Sequence, residues 1–136
     1  MTQEQDVLAF FERIEVMYNE ASSAADLDRY LAASYENSPD ARMIVSYVTS
    51  CGYEEVRRRH HETFPAPQRR TMGELRMTDL QVSMLGDEFA HVAGKWTIVT
   101  AAGLRGGEIS VVVHLTPDGW RIRIDHTVTT SRSSKH

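Results

Sequence analysis

The second half of the chain is written in a period of two, and this limits its fold more than any other feature. In PDGWRIRIDHTVTT (117–130), Trp120, Ile122 and Ile124 alternate with Arg121 and Arg123. Such alternation marks a strand with one buried face. Comparable runs precede it: GELRMTDLQVSML (73–85), FAHVAGKWTIVT (89–100) and GEISVVVHLT (107–116). Successive runs joined by short turns predict an antiparallel sheet with one face on the core. Read as a two-residue loop, Pro117–Asp118 sets Val113 opposite Ile122, Val111 opposite Ile124 and Ile109 opposite His126. The same reasoning places Trp96 near Val111 and Ile98 near Ile109. The expected inner wall is then Trp96, Ile98, Ile109, Val111, Val113, Trp120, Ile122, Ile124 and His126. Lys95, Glu108, Ser110, His114, Arg121, Arg123 and Asp125 fall on the outer face. Neighbours on a strand face opposite sides, so Asp125 and His126 are not expected to act as a dyad.

The first half changes period. Val7, Phe10, Phe11, Ile14, Met17, Tyr18 and Ala21 make one apolar stripe at helical spacing. Thr2 and Gln5 have capping-box spacing, which starts this helix near residue 3. A shorter helix, expected to be capped by Asp26, buries Leu27, Tyr30 and Leu31 and ends at the turn-forming ENSPD (36–40). ARMIVSYVT (41–49) is rich in strand formers. A third helix follows Gly52, carries Tyr53, Val56, His60 and Phe64 on one side, and stops at Pro65 and Pro67. The predicted order is α-α-β-α-β-β-β-β in a single domain over 1–128, with 129–136 as a flexible tail.

Composition excludes several classes. With 41% hydrophobic and 25% charged residues, the chain has the make-up of a globular domain. A net charge of −4 does not suit a general nucleic-acid binder. No apolar run reaches the length of a membrane span. The N-terminus lacks the pattern of a secretory signal, and Cys51 is the sole cysteine. The expectation is therefore a cytoplasmic protein with neither nucleic-acid nor membrane partners.

Taken in order, YNEASSAADLDRYLAASYENSPD (18–40), CGYEEVRRRHHETF (51–64), GDEFAHVAGKWTI (86–98) and TPDGWRIRIDHT (116–127) resemble the nuclear transport factor 2-like superfamily. Within it, the SnoaL-like and ketosteroid-isomerase-like branch is the nearest. The resemblance implies an α+β, cystatin-like cone, in which a curved, mostly antiparallel sheet wraps around N-terminal helices and encloses a pocket. It also implies a homodimer through the outer face of the sheet, with Val112, His114, Arg121, Arg123, Glu108 and Asp125 at the contact. Tyr18 resembles the first-helix tyrosine with which the isomerases hold an enolate oxygen. The strand before the third helix, MIVSYV, supplies no acid for that constellation. The polyketide cyclases of the branch pair an acid with a histidine, and His126 is placed as that histidine.

Candidate catalytic residues are thus Tyr18 and His126. Candidate pocket residues are Phe11, Ile14, Trp96, Ile98, Ile109, Val111, Trp120 and Ile124. The histidines do not converge in this reading, so no metal is expected, and no cofactor. The leading function is binding of a small apolar molecule between the sheet and the first helix. One alternative is an isomerase or cyclase using a pocket His and Tyr as acid and base. The other is a non-catalytic dimerisation module whose cavity is filled by its own side chains.

Overall fold

The computed structural model describes residues 2–134. Helix α1 (Gln3–Glu20) starts with the expected capping box, in which the Thr2 side chain and Gln5 each satisfy the other's backbone N–H. It buries Val7, Phe10, Phe11, Ile14 and Tyr18. Helix α2 (Ala24–Ser34) buries Leu27, Tyr30, Leu31 and Ser34. Its cap is Ser23, whose hydroxyl accepts from the Asp26 N–H; Asp26 instead accepts from the Ser22 N–H. The strand-rich run at 41–49 is a hairpin, β1 (Arg42–Val45) and β2 (Val48–Cys51). Ser46 and Tyr47 turn it with positive φ at both positions, the conformation that a tight hairpin turn demands. Helix α3 (Tyr53–Thr63) and a short α4 (Arg69–Met72) lead into the long strands.

Those strands are β3 (Glu74–Met84), β4 (Phe89–Thr100), β5 (Gly103–Thr116) and β6 (Gly119–Ser134). The sheet is six-stranded and open, in the order β2-β1-β6-β5-β4-β3. The β1–β6 pair is parallel and the rest are antiparallel. The core lies between one sheet face and the helices, where α1 and α2 meet the inner residues of the sheet.

Three register expectations need correction. Residues 129–134 are paired strand rather than tail, with Gly103 opposite Ser134; 135 and 136 lie outside the described residues. The β4–β5 hairpin turns at Ala101–Ala102, so Trp96 pairs with Gly107 and Ile98 with Arg105. The glycines of GLRGG belong to the strand, not to the loop. The third correction bears on the site. Val113 does pair with Ile122, but the next pair is Val112 with Ile124. Arg123 is an extra residue, a β-bulge, and a bulge reverses which side the following residues face. Ile109 consequently meets Thr127, and Val111 meets Asp125.

A second bulge lies further along β6. Gly106 pairs with Ser131 and Gly107 with Thr129, leaving Thr130 unpaired. Glycine is required here, because a Cβ on Gly107 would lie 1.7 Å from the Val128 carbonyl oxygen. Between the bulges Asp125, Thr127 and Thr129 face inward; beyond the second, Arg132 does.

Candidate functional site

The inner face of the sheet and the helices enclose a cavity of about 260 Å³. Small-molecule sites begin at roughly 300 Å³. Phe11 and Ile14 of α1 line it, with Trp96, Ile98, Ile109 and Val111 of the sheet. Each of these is where sequence reasoning puts it. Two other expected pocket residues are not. Trp120 is buried at 6% exposure but packs into the core away from the cavity. Ile124 falls just after the first bulge and is turned off the inner wall.

Tyr18 lines the cavity, and its hydroxyl is already committed: it donates to the Met72 carbonyl at 2.8 Å. Burial pushes its pKa up to about 12, against the smaller opposing pull of Arg105 and Arg69. As placed, the phenol hydrogen is spent on the Met72 carbonyl and is not aimed at the cavity. His126 is exposed, pairs with Ser110, and lies in a shallow groove on the outer face with Lys95 and Glu108. Its expected catalytic place in the pocket is overturned, and the parity change at Arg123 is the cause.

The same bulge brings Asp125 inside. Strict alternation puts Asp125 at the outer dimer face; it lines the cavity instead. The Tyr35 hydroxyl donates to Asp125 Oδ2 at 2.6 Å, and the Thr127 hydroxyl donates to Oδ1 at 3.0 Å. Tyr35 reaches it because the chain after α2 joins the sheet: Tyr35 bridges Ile122, and the Glu36 N–H donates to the Ile122 carbonyl. Burial and then the Asp125 charge hold the Tyr35 pKa well above the ordinary phenol value.

His60 of α3 completes this end of the cavity. Its ring centroid is 5.6 Å from that of Tyr35 and 6.5 Å from that of Tyr30. Nδ1 is 2.8 Å from the Val56 carbonyl, an acceptor, so Nδ1 carries the hydrogen and Nε2 keeps a lone pair. Every wholly covered side-chain nitrogen and oxygen among the described residues has a hydrogen-bond partner. Nε2 has none among the described residues, so it is not wholly covered, and His60 is one of the residues that line the cavity. Burial lowers the His60 pKa, outweighing the Val56 bond and the Asp125 charge that oppose it. A neutral imidazole facing an apolar space can accept a proton or a hydrogen bond. Sequence reasoning places His60 on the apolar side of the third helix but gives it no role, because Tyr35 and Asp125 are distant in sequence.

Three arginines also line the cavity: Arg59, Arg105 and Arg132. Arg59 donates to the Val45 and Val48 carbonyls and the Ser50 hydroxyl, tying down the β1–β2 hairpin. Among the described residues no cluster of His, Cys, Asp and Glu side chains has the convergence a metal ion needs. Among the described residues no helix is long and apolar enough to cross a membrane.

No protein-family model matches the sequence, and no curated protein matches it. The fold does have relatives among solved structures. The class it defines is the nuclear transport factor 2-like fold, an α+β cone of helices within an open curved sheet. A nuclear transport factor 2-like protein of unknown function from Shewanella oneidensis superposes with a TM-score of 0.81 at 23% identity, covering 93% of this chain and 98% of the other. One from Pseudomonas aeruginosa, also of unknown function, gives 0.75 at 14% identity over 93% and 99%. A Novosphingobium aromaticivorans protein provisionally described as a scytalone dehydratase gives 0.71 at 13% identity over 100% and 93%.

Proposed function

We propose that this protein binds a small, largely apolar molecule in the cavity between α1 and the sheet, with a polar group of that molecule meeting His60. The observation that carries the reading is His60, whose Nε2 has no hydrogen-bond partner among the described residues, lining a cavity whose apolar wall includes Phe11, Ile14, Trp96, Ile109 and Val111. A cavity filled by its own side chains would leave no such acceptor uncovered. The test is native mass spectrometry of the purified protein, with extraction and identification of whatever travels with it. Trp96 provides a second readout, since a molecule seated in the cavity changes its fluorescence. A protein that carries nothing and whose Trp96 emission answers to no apolar compound would overturn the reading.

A second reading is favoured by one specific arrangement. A neutral imidazole and the carboxylate of Asp125 line one cavity, which suits proton transfer on a bound molecule: His60 takes a proton and gives it back, and the Asp125 charge favours the imidazolium formed in between. Isomerisation or loss of water from a hydroxy-ketone is the matching reaction type, and the description of the Novosphingobium neighbour makes loss of water the first to try. Deuterium exchange next to the carbonyl of a cyclic hydroxy-ketone, followed by NMR, is the check. Exchange should be lost in His60→Gln.

The dimer proposal keeps the outer face but loses Asp125 from it. The groove there, lined by Leu80, Ala93, His126 and Val128, offers apolar surface beside mixed charge. Light scattering at micromolar concentration should give twice the chain mass, and Val128→Lys should reduce it to the monomer value.

A further inference from the structure

Arg105 and Arg132 are direct partners across β5 and β6, and both line the cavity. Like charges opposite each other on one face of a sheet destabilise it. Among the described residues neither arginine forms a salt bridge. Both are exposed, so they stand where the cavity opens. The pairing is built in by the second bulge. Strict alternation from Thr129 through Thr130 would turn Arg132 outward, and Gly107 is the residue whose missing Cβ admits the bulge that prevents this. Among the described residues the cavity lining carries Arg59, Arg105 and Arg132 against one acid, Asp125, within a chain of net charge −4. Each guanidinium is a planar fork that suits a carboxylate, and two of them come from opposite positions on one face of the sheet.

We infer that the molecule bound in the cavity is an amphipathic acid, with its apolar body against Phe11, Ile14 and Trp96 and its carboxylate held by Arg105 and Arg132. This rests on the binding function proposed above and adds the substrate class. His60 and Asp125 then meet the opposite end of the molecule, or a hydroxyl or carbonyl along it.

The test compares carboxylates with the amides of the same body: naphthalene-2-carboxylate with naphthalene-2-carboxamide, 4-phenylbutyrate with its amide, and cyclohexylacetate with its amide. Titration calorimetry and Trp96 fluorescence read the affinities. At least one acid should bind about tenfold or more tightly than its amide, the range of a charge-assisted pair. That preference should weaken as salt rises. It should vanish in Arg105→Gln/Arg132→Gln and return in part in Arg105→Lys/Arg132→Lys. Both side chains are exposed, so the variants should fold; the glutamine pair, relieved of the repulsion, should melt no lower than the parent and the lysine pair close to it. If acid and amide bind equally, the anion site is wrong while the binding function stands. If the preference survives the double glutamine variant, the anion sits elsewhere and the assignment to Arg105 and Arg132 falls. If no body binds in either form, the binding function fails and this inference fails with it.

Discussion

Glu36 and Asp125 flank the same bulge from opposite sides, and they differ in what is left for them to do. Tyr35 and Glu36 are consecutive, so one faces in and the other out. On the outside, Glu36 is closed. Arg123 donates to both of its oxygens, at 3.0 and 3.2 Å, His114 hydrogen-bonds Oε1, and the Ser38 hydroxyl donates to Oε2 at 2.7 Å. Its side chain is 7% exposed, and the Arg123 guanidinium also stacks over Phe89. On the inside, Asp125 takes Tyr35 and Thr127 and still faces the cavity. An acid whose partners close around it holds the fold together. An acid with one side open to a cavity is available to something else.

The largest effect should come from opening the closed cluster. Glu36→Ala leaves Arg123 and His114 without their common partner, and the loss in urea denaturation should be about 3 kcal/mol, as for a broken buried pair. Asp125→Asn, which keeps the shape, should cost less than about 1.5 kcal/mol while weakening ligand binding. The reverse ranking would undo the contrast between a structural acid and a functional one.

Acid titration separates the two regions further. Burial alone would raise the Glu36 pKa, but the hydrogen bonds from Arg123, His114 and Ser38 outweigh it and pull the value from 4.5 down to about 2. A carboxyl depressed in the folded state stabilises above its unfolded pKa, and that stability is lost as pH falls through the folded value. This loss should amount to roughly 2–3 kcal/mol between pH 4.5 and 2. His60 acts in a higher window. Its folded pKa lies below the ordinary 6.5, so the unfolded chain takes up a proton first and stability falls as pH drops below 6.5. His60→Phe should flatten the upper slope and Glu36→Gln the lower one in melting temperatures taken against pH. A single slope that both variants abolish would mean that the two regions titrate as one.

The smallest effect belongs to His126. It is exposed on the outer face, so His126→Phe should change stability by less than about 0.5 kcal/mol and leave binding in the cavity untouched. A large loss of binding in that variant would return His126 to the pocket and sink the bulged register of β6 against β5.

Most of the fold was legible in local patterns. The stripe from Val7 to Tyr18, the capping box at Thr2 and the alternation Trp120–Ile122 each report on neighbours within a few residues, which sequence spacing records directly. Half of one cavity wall followed as well, because Phe11 and Ile14 lie on one helical stripe and Trp96 and Val111 lie on β4 and β5, which pair with each other without a bulge. Alternation failed at Arg123, where one extra residue turned Ile124 and His126 out and Asp125 in. The partner that holds Arg123 is Glu36, which comes to it from the end of α2.

What the sequence determined by itself was therefore the three longer helices, the four long strands and most of the apolar cavity wall, but neither the hairpin at 42–51 nor α4, since periodicity is a local property of the chain. Only the tertiary structure decided which polar groups face inside. Two bulges in β6 set that choice: one at Arg123, held by Glu36 from another element, and one at Thr130, admitted by Gly107 on the next strand. A bulge changes parity by a single residue at little cost to the ladder, and its partners lie across space rather than along the chain. For that reason Asp125, His60 and the Arg105–Arg132 pair come together only in the folded molecule.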